Sequence, residues 1–219
     1  MEMAVEDQSS ARLQVIAEVL QRLYEADFSL SSIGDTSGLQ VLLTPLDLSR
    51  IEREAYLRFK KYIARRVVGR GERYDTAARL NVWKGMRKRL YVDRFVRAAL
   101  CHLGITGSQR IDYNRIAYKL MGRLKGKLVD EWPRILEGSR DLWEGVEGLD
   151  PRAAKIVATL TAKILYQLEY GNLRLPYPTR EELYPERADD YAETFKERPT
   201  PSLEEPEEGG GRDLGEVVG

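Results

Sequence analysis

Few residues in this chain have the type and spacing to do chemistry. His102 is the single histidine and Cys101 the single cysteine. They are adjacent, so on a helix they point to different faces and do not make a nucleophile–base couple. One histidine without others is a poor metal site, and one cysteine excludes an internal disulfide and a cysteine-based zinc site. Cys101 stands beside Leu100 and Leu103, which suggests a buried structural thiol. Gly122-Arg-Leu-Lys-Gly126-Lys127 is one residue short of a phosphate-binding loop. It follows no strand, and Leu128 stands where a Ser or Thr would hold magnesium. Gly69-Arg-Gly71 reads as a hinge. Asp189-Asp190 and Glu204-Glu205 lie in acidic sequence and read as solvated charge, not an acid/base pair. A His-x-x-Arg motif is absent, because His102 is followed by Leu103, Gly104 and Ile105. No catalytic residue, metal site or cofactor is expected, and the chain reads as a non-enzyme.

The chemistry that stands out is electrostatic. The formal net charge is zero, from 35 basic and 35 acidic side chains, yet the signs are sorted along the chain. Residues 50–127 carry 22 basic and 6 acidic side chains, a local net of +16. Residues 1–49 carry 2 and 8, and residues 181–219 carry 4 and 13. A block this basic repels itself unless a polyanion lies on it, and a phosphate backbone is the commonest such partner. Tyr56, Tyr62, Tyr74, Tyr91, Tyr113 and Tyr118 are interleaved with the arginines and are expected chiefly to pack between helices. With a mean hydropathy of −0.46 and no apolar run of about 20 residues, a membrane span is not expected, nor is a signal peptide. Scarce Asn and Gln beside 32% charged residues lean towards a thermophilic source.

The elements that position these charges are helices, and no segment alternates with period two. Ser9 or Ser10 can cap a helix to about Phe28, followed by a linker, Ser29–Gly38, read as flexible. Thr44-Pro45-Leu46-Asp47 starts a helix expected to reach Val68. On its wheel Leu48, Ile51, Ala55, Phe59, Tyr62 and Ile63 fill one half, while Arg50, Arg53, Arg58, Lys60, Lys61 and Arg65 fill the other. Asp75 caps a helix to Leu103 whose basic residues spread around the wheel, with Gly85 able to allow a bend. Further helices are expected over 111–128, near 130–137, over 151–170 after the Asp150-Pro151 start, and as a short piece within 180–198. The organisation read from this is all-α: an N-terminal helical arm and linker (1–43), basic helices (44–104), a helical bundle (105–173) and an extended acidic tail (174–219). Arg50, Arg53, Arg58, Lys60, Lys61, Arg65, Arg66, Arg70 and Arg73 are the first choices for phosphate contact. Arg79, Arg87, Lys88, Arg94 and Arg97 are second choices.

The stretch 102–124, HLGITGSQRIDYNRIAYKLMGRL, resembles the coat proteins of the filamentous rudiviruses and lipothrixviruses of hyperthermophilic archaea. The matching positions are Gly104, Ile105, Thr106, Gly107, Arg110 and Tyr113, in a turn followed by a Tyr-containing helix. Leu103 stands where that family often has an aromatic residue, and the acidic arm and tail make this chain longer than the rudivirus version. The resemblance implies a helical bundle with an N-terminal arm. It also implies a homodimer, or a heterodimer with a related coat protein, wrapped around linear double-stranded DNA held in the A-form. In some members a lipid envelope surrounds the filament. The implied location is the virion, with the host cytoplasm during assembly. A sequence-blind coat needs many phosphate contacts and no fixed base-reading cluster, and arginine's planar fork suits phosphate oxygens. Two other readings fit the charge map: a cellular helical DNA-binding protein (a regulator or chromatin protein) and a scaffold whose basic block meets an acidic protein.

Overall fold

The computed structural model describes residues 2–171, 173 and 178–187. Among these there are eight α-helices and no strand, so the all-α expectation holds. They are α1 (Glu2–Glu25), α2 (Leu30–Gly34), α3 (Pro45–Ile63), α4 (Thr76–His102), α5 (Gln109–Leu124), α6 (Trp132–Glu137), α7 (Pro151–Glu169) and α8 (Arg180–Leu183).

The local starts follow the capping chemistry. Thr44 accepts from the Asp47 amide while Asp47 accepts from the Thr44 amide and hydroxyl, a closed capping box with Pro45 in the first turn. Asp75 accepts from the Ala78 amide at 2.7 Å, and Asp150 from the Arg152 amide at 2.9 Å. Helix α5 stops four residues short of the expected Leu128. Lys125 leaves the helix and Gly126 takes φ +72°, a left-handed conformation that suits glycine.

The apolar α7 is the centre. Twelve of its residues are buried, among them Ile156, Val157, Leu160 and Ile164, and α1, α2, α4 and α5 pack around it. Helix α3 packs along α4. A smaller apolar cluster, Phe59, Ile63, Trp83 and Leu183, joins α3, α4 and α8.

Three expectations give way to the packing. Residues 29–38 are not a flexible linker. Ser29 caps α2, Ile33 is fully buried, and the Lys163 amine donates to the Ser32 and Asp35 carbonyls. Helix α1 is likewise seated on α7 through Ile16, Val19, Leu20 and Leu23, so within this chain it is part of the core. Cys101 is exposed, not buried, because Leu100 occupies the inward position beside it. Residues 180–187 form α8 and a further helical turn against α3 and α4, inside the 180–198 stretch where a short helix was expected, while 188–219 and the Asp189-Asp190 and Glu204-Glu205 pairs lie outside the described residues.

Candidate nucleic-acid interface

Helix α3 divides as its wheel predicts. Ile51, Ala55, Phe59 and Ile63 are buried, whereas Arg50, Arg53, Arg58, Lys60 and Lys61 face outward and are exposed. After Ile63 the ladder takes in one extra residue, a π turn over 64–68 closed by the Gly69 amide donating to the Ala64 carbonyl at 3.0 Å. A Cβ on Gly69 would come within 2.8 Å of the Arg65 carbonyl oxygen, so the turn requires glycine there. The Gly69–Gly71 stretch, expected as a hinge, is a tied turn. The Glu72 amide reaches back to the Arg66 carbonyl, and the Tyr62 and Tyr74 hydroxyls meet at 3.0 Å. It carries Arg65, Arg70 and Arg73 at the surface.

Which of these cations is available depends on the carboxylates nearby. Arg58 bonds Glu54 at 2.5 Å and Arg94 bonds the other Glu54 oxygen at 2.6 Å. The hydrogen bond from Arg94 leads in holding Glu54 below the usual carboxylate range, with Arg58 adding to it. Arg66 bonds Glu72 at 2.7 Å, with Arg70 at 4.0 Å from the same oxygen. That hydrogen bond lowers the Glu72 pKa and raises the Arg66 pKa. Arg50, Arg53, Lys60, Lys61, Arg65 and Arg73 have no carboxylate within ion-pair distance among the described residues. Arg50 to Arg65 spans fifteen residues, about 22 Å at helical rise. The result is a ridge of cations that none of the described carboxylates holds in an ion pair. Leu46 and Leu57 lie on the same face, 60% and 55% exposed. The wheel places them among the arginines, although charge alone did not single them out.

Helix α4 treats its basic residues differently. Arg79 is 3% exposed. It bonds Glu186 with both terminal nitrogens at 2.7 and 3.1 Å, donates to the Leu183 and Tyr74 carbonyls, and stacks on Tyr184 at 4.3 Å. Arg87 is 5% exposed and bonds Glu52 at 2.6 Å, with the Tyr91 hydroxyl donating to the same carboxylate. Desolvation, then that hydrogen bond, raises the Tyr91 pKa. Arg79 and Arg87 therefore do not belong to the surface set proposed from sequence. They are enclosed and tie α4 to the 183–187 segment and to α3. Lys88 is half-buried and bonds Glu169. Arg94 is half-buried on Glu54, and Arg97 is exposed at 3.8 Å from Asp93. Arg89, which was not ranked from sequence, is exposed.

The residues that carry the coat-protein resemblance sit in the α4–α5 connection and make the fold. Gly104 and Gly107 take φ +75° and +66°, the Ile105 amide donates to the Leu100 carbonyl at 2.9 Å, and Tyr113 is buried with its hydroxyl accepting from the Asp150 amide at 2.9 Å. Among the described residues no group of three or more His, Cys, Asp or Glu is placed to hold a metal, and no helix is long and apolar enough to cross a membrane. Comparison with known proteins finds no matching family model, no matching curated protein and no matching solved structure.

Proposed function

We propose that this chain is a structural DNA-packaging protein, a coat subunit of a filamentous virus of the rudivirus and lipothrixvirus kind. It coats linear double-stranded DNA through sequence-independent phosphate contacts, and assembles with copies of itself or with a related coat protein. The observation that carries the reading is the outward ridge of Arg50, Arg53, Lys60, Lys61, Arg65 and Arg73, exposed and without neutralising carboxylates in the described structure. Such a ridge costs self-repulsion, which a phosphate backbone would offset. It is laid along a helix and a turn, with no compact cluster of base-reading side chains, as binding to any sequence requires.

A cellular regulator reading bases with α5 is less well supported. On that helix Arg115 is bonded to Asp112 and Arg123 takes both oxygens of Asp141, so those guanidinium groups already have carboxylate partners. The test is titration of the full chain onto long random-sequence duplex with electron microscopy of the product. Saturation at a fixed number of base pairs per subunit, with filaments, is the expected result. A sharp affinity preference for one sequence without filaments would transfer the chain to the regulator reading.

A further inference from the structure

Between α4 and α5 lies a cleft of about 880 Å³ that borders the outward face of α3 at Arg58. Two helical stripes line it. Lys84, Gly85, Lys88 and Arg89 recur at three- and four-residue spacing on α4, and Tyr118 and Gly122 do so on α5, with Lys125 just past its end. The cleft has its depth because two of these positions lack side chains. A Cβ on Gly85 or on Gly122 would meet no atom within 4 Å.

Charge gives the cleft its ligand class. Arg58, Lys84, Lys88, Arg89 and Lys125 line it beside Asp93 and Glu169, with Arg58 paired to Glu54. Lys88 already answers Glu169, whereas Arg89 and Lys125 have no carboxylate within ion-pair distance among the described residues. Arg89 on α4 and Lys125 just after α5 bring these two cations to the cleft from different elements. Tyr118, 45% exposed, offers a ring face and a hydroxyl donor. Arg58 belongs to both the cleft and α3, so the cleft continues the cationic ridge.

We propose that one phosphodiester strand of the bound DNA is seated in this cleft, its phosphates on Arg89 and Lys125 and its sugar face against Tyr118. This rests on the DNA-coating reading and adds a second, recessed track to the α3 ridge.

The test uses the full chain and a short, labelled, random-sequence duplex. Gly85→Gln and Gly122→Gln fill the cleft without removing a charge. Glutamine is also the better helix former, so the melting temperature should hold or rise. Arg53→Gln with Lys60→Gln is the parallel change on the outer face of α3. The expected result is about tenfold weaker duplex binding in each filled variant, as when several phosphate contacts are displaced. Arg89→Gln, which removes charge and leaves the helix glycines alone, should weaken binding in the same direction. If the filled variants and Arg89→Gln bind as the parent does while the α3 variant weakens, the cleft assignment is overturned and the DNA reading stands. If the parent chain does not bind duplex, the DNA reading itself falls and the strand assignment goes with it. If Gly122→Gln abolishes binding of a polyglutamate peptide and leaves duplex affinity untouched, the cleft is a groove for acidic peptide and the proposal is wrong.

Discussion

A salt titration tests the cationic ridge most directly, because the structure sets the number of charges at stake. Arg50, Arg53, Lys60, Lys61, Arg65 and Arg73 are the exposed cations of the ridge without a carboxylate at ion-pair distance. Each phosphate neutralised on B-form duplex releases counterions and adds about 0.9 to the slope of log affinity against log salt. Six contacts give a slope of about −5, so affinity should fall about a thousandfold between 50 and 200 mM salt. Lys60→Gln together with Lys61→Gln removes two contacts and should flatten the slope by about 1.8. The loss should be equal on unrelated sequences, since phosphates carry no sequence information. Fluorescence anisotropy on random duplex at five or more salt concentrations reads both quantities. A parent slope of about −2 or shallower, or a double variant that loses affinity with its slope unchanged, would refute the reasoning, because either result means the ridge cations are not the groups meeting phosphate. Additional contacts from the α4–α5 cleft can only steepen the slope, so a shallow value cannot be rescued by them.

Other outcomes follow from the interior. Arg79→Met leaves Glu186 without its bidentate partner in a nearly enclosed site. A loss of about 3 kcal/mol is expected, with faster hydrogen exchange at the Leu183 and Tyr184 amides as the local readout. Thr159→Val removes a buried hydroxyl that has no hydrogen-bond partner among the described residues and should stabilise the chain by about 1 kcal/mol, seen as a melting temperature raised by roughly 2–4 °C. Gly107→Ala forces a side chain onto φ +66° and should cost about 1 kcal/mol by denaturant unfolding. For acid, Glu54 and Glu72 are held below their ordinary value of 4.5 chiefly by hydrogen bonds from Arg94 and Arg66. At Glu186 burial pushes upward, but the Arg79 hydrogen bond and its companions outweigh it. These are carboxylates with depressed folded-state pKa values, so their stabilisation is present above the unfolded value and is lost as pH falls below about 4.5 through the folded values. Melting temperature against pH should therefore fall through that acidic range, and Glu186→Gln should show a smaller drop.

Much of the helical layout is legible in the sequence because its causes are local. The Thr44 and Asp75 caps, the Asp150-Pro151 start and the glycine stop at Gly104 act within a turn of the residues they control. The two faces of α3 follow from spacing alone. The extent of α5 was misjudged because Lys125 and Gly126 end it before the apolar pattern does. The linker at 29–38 was misread for a longer-range reason. Its Ser and Gly composition signals flexibility, but Lys163, some 130 positions later, supplies the charge that binds its carbonyls. Burial pushes the Lys163 pKa downward, so those carbonyls also serve the amine by replacing its water.

The same distinction decides which cations can meet a ligand. Arg79 and Arg53 are indistinguishable by type and sit in equally basic surroundings in the sequence. What separates them is a carboxylate 107 residues away from Arg79, carried in on the 183–187 segment, and the apolar cluster of Phe59, Trp83 and Leu183 that brings that segment to α4. Arg87 is taken by Glu52 across the α3–α4 contact in the same way. Acidic partners thus remove some members of the basic block from the surface, and these are the ones that clamp helices together. Cations without an ion pair among the described residues remain on the outward side of α3 and its following turn, at Arg89 and Lys125 of the α4–α5 cleft, and at Arg110, Lys119 and Lys127. Local charge density therefore overstates the number of available cations, and burial is needed to separate the arginines that hold the fold from those left for a polyanion. On that basis the duplex-binding assays should respond to Arg53 and Lys60 and the stability assays to Arg79. A variant set in which the two responses could not be separated would mean that this division of the basic block is wrong.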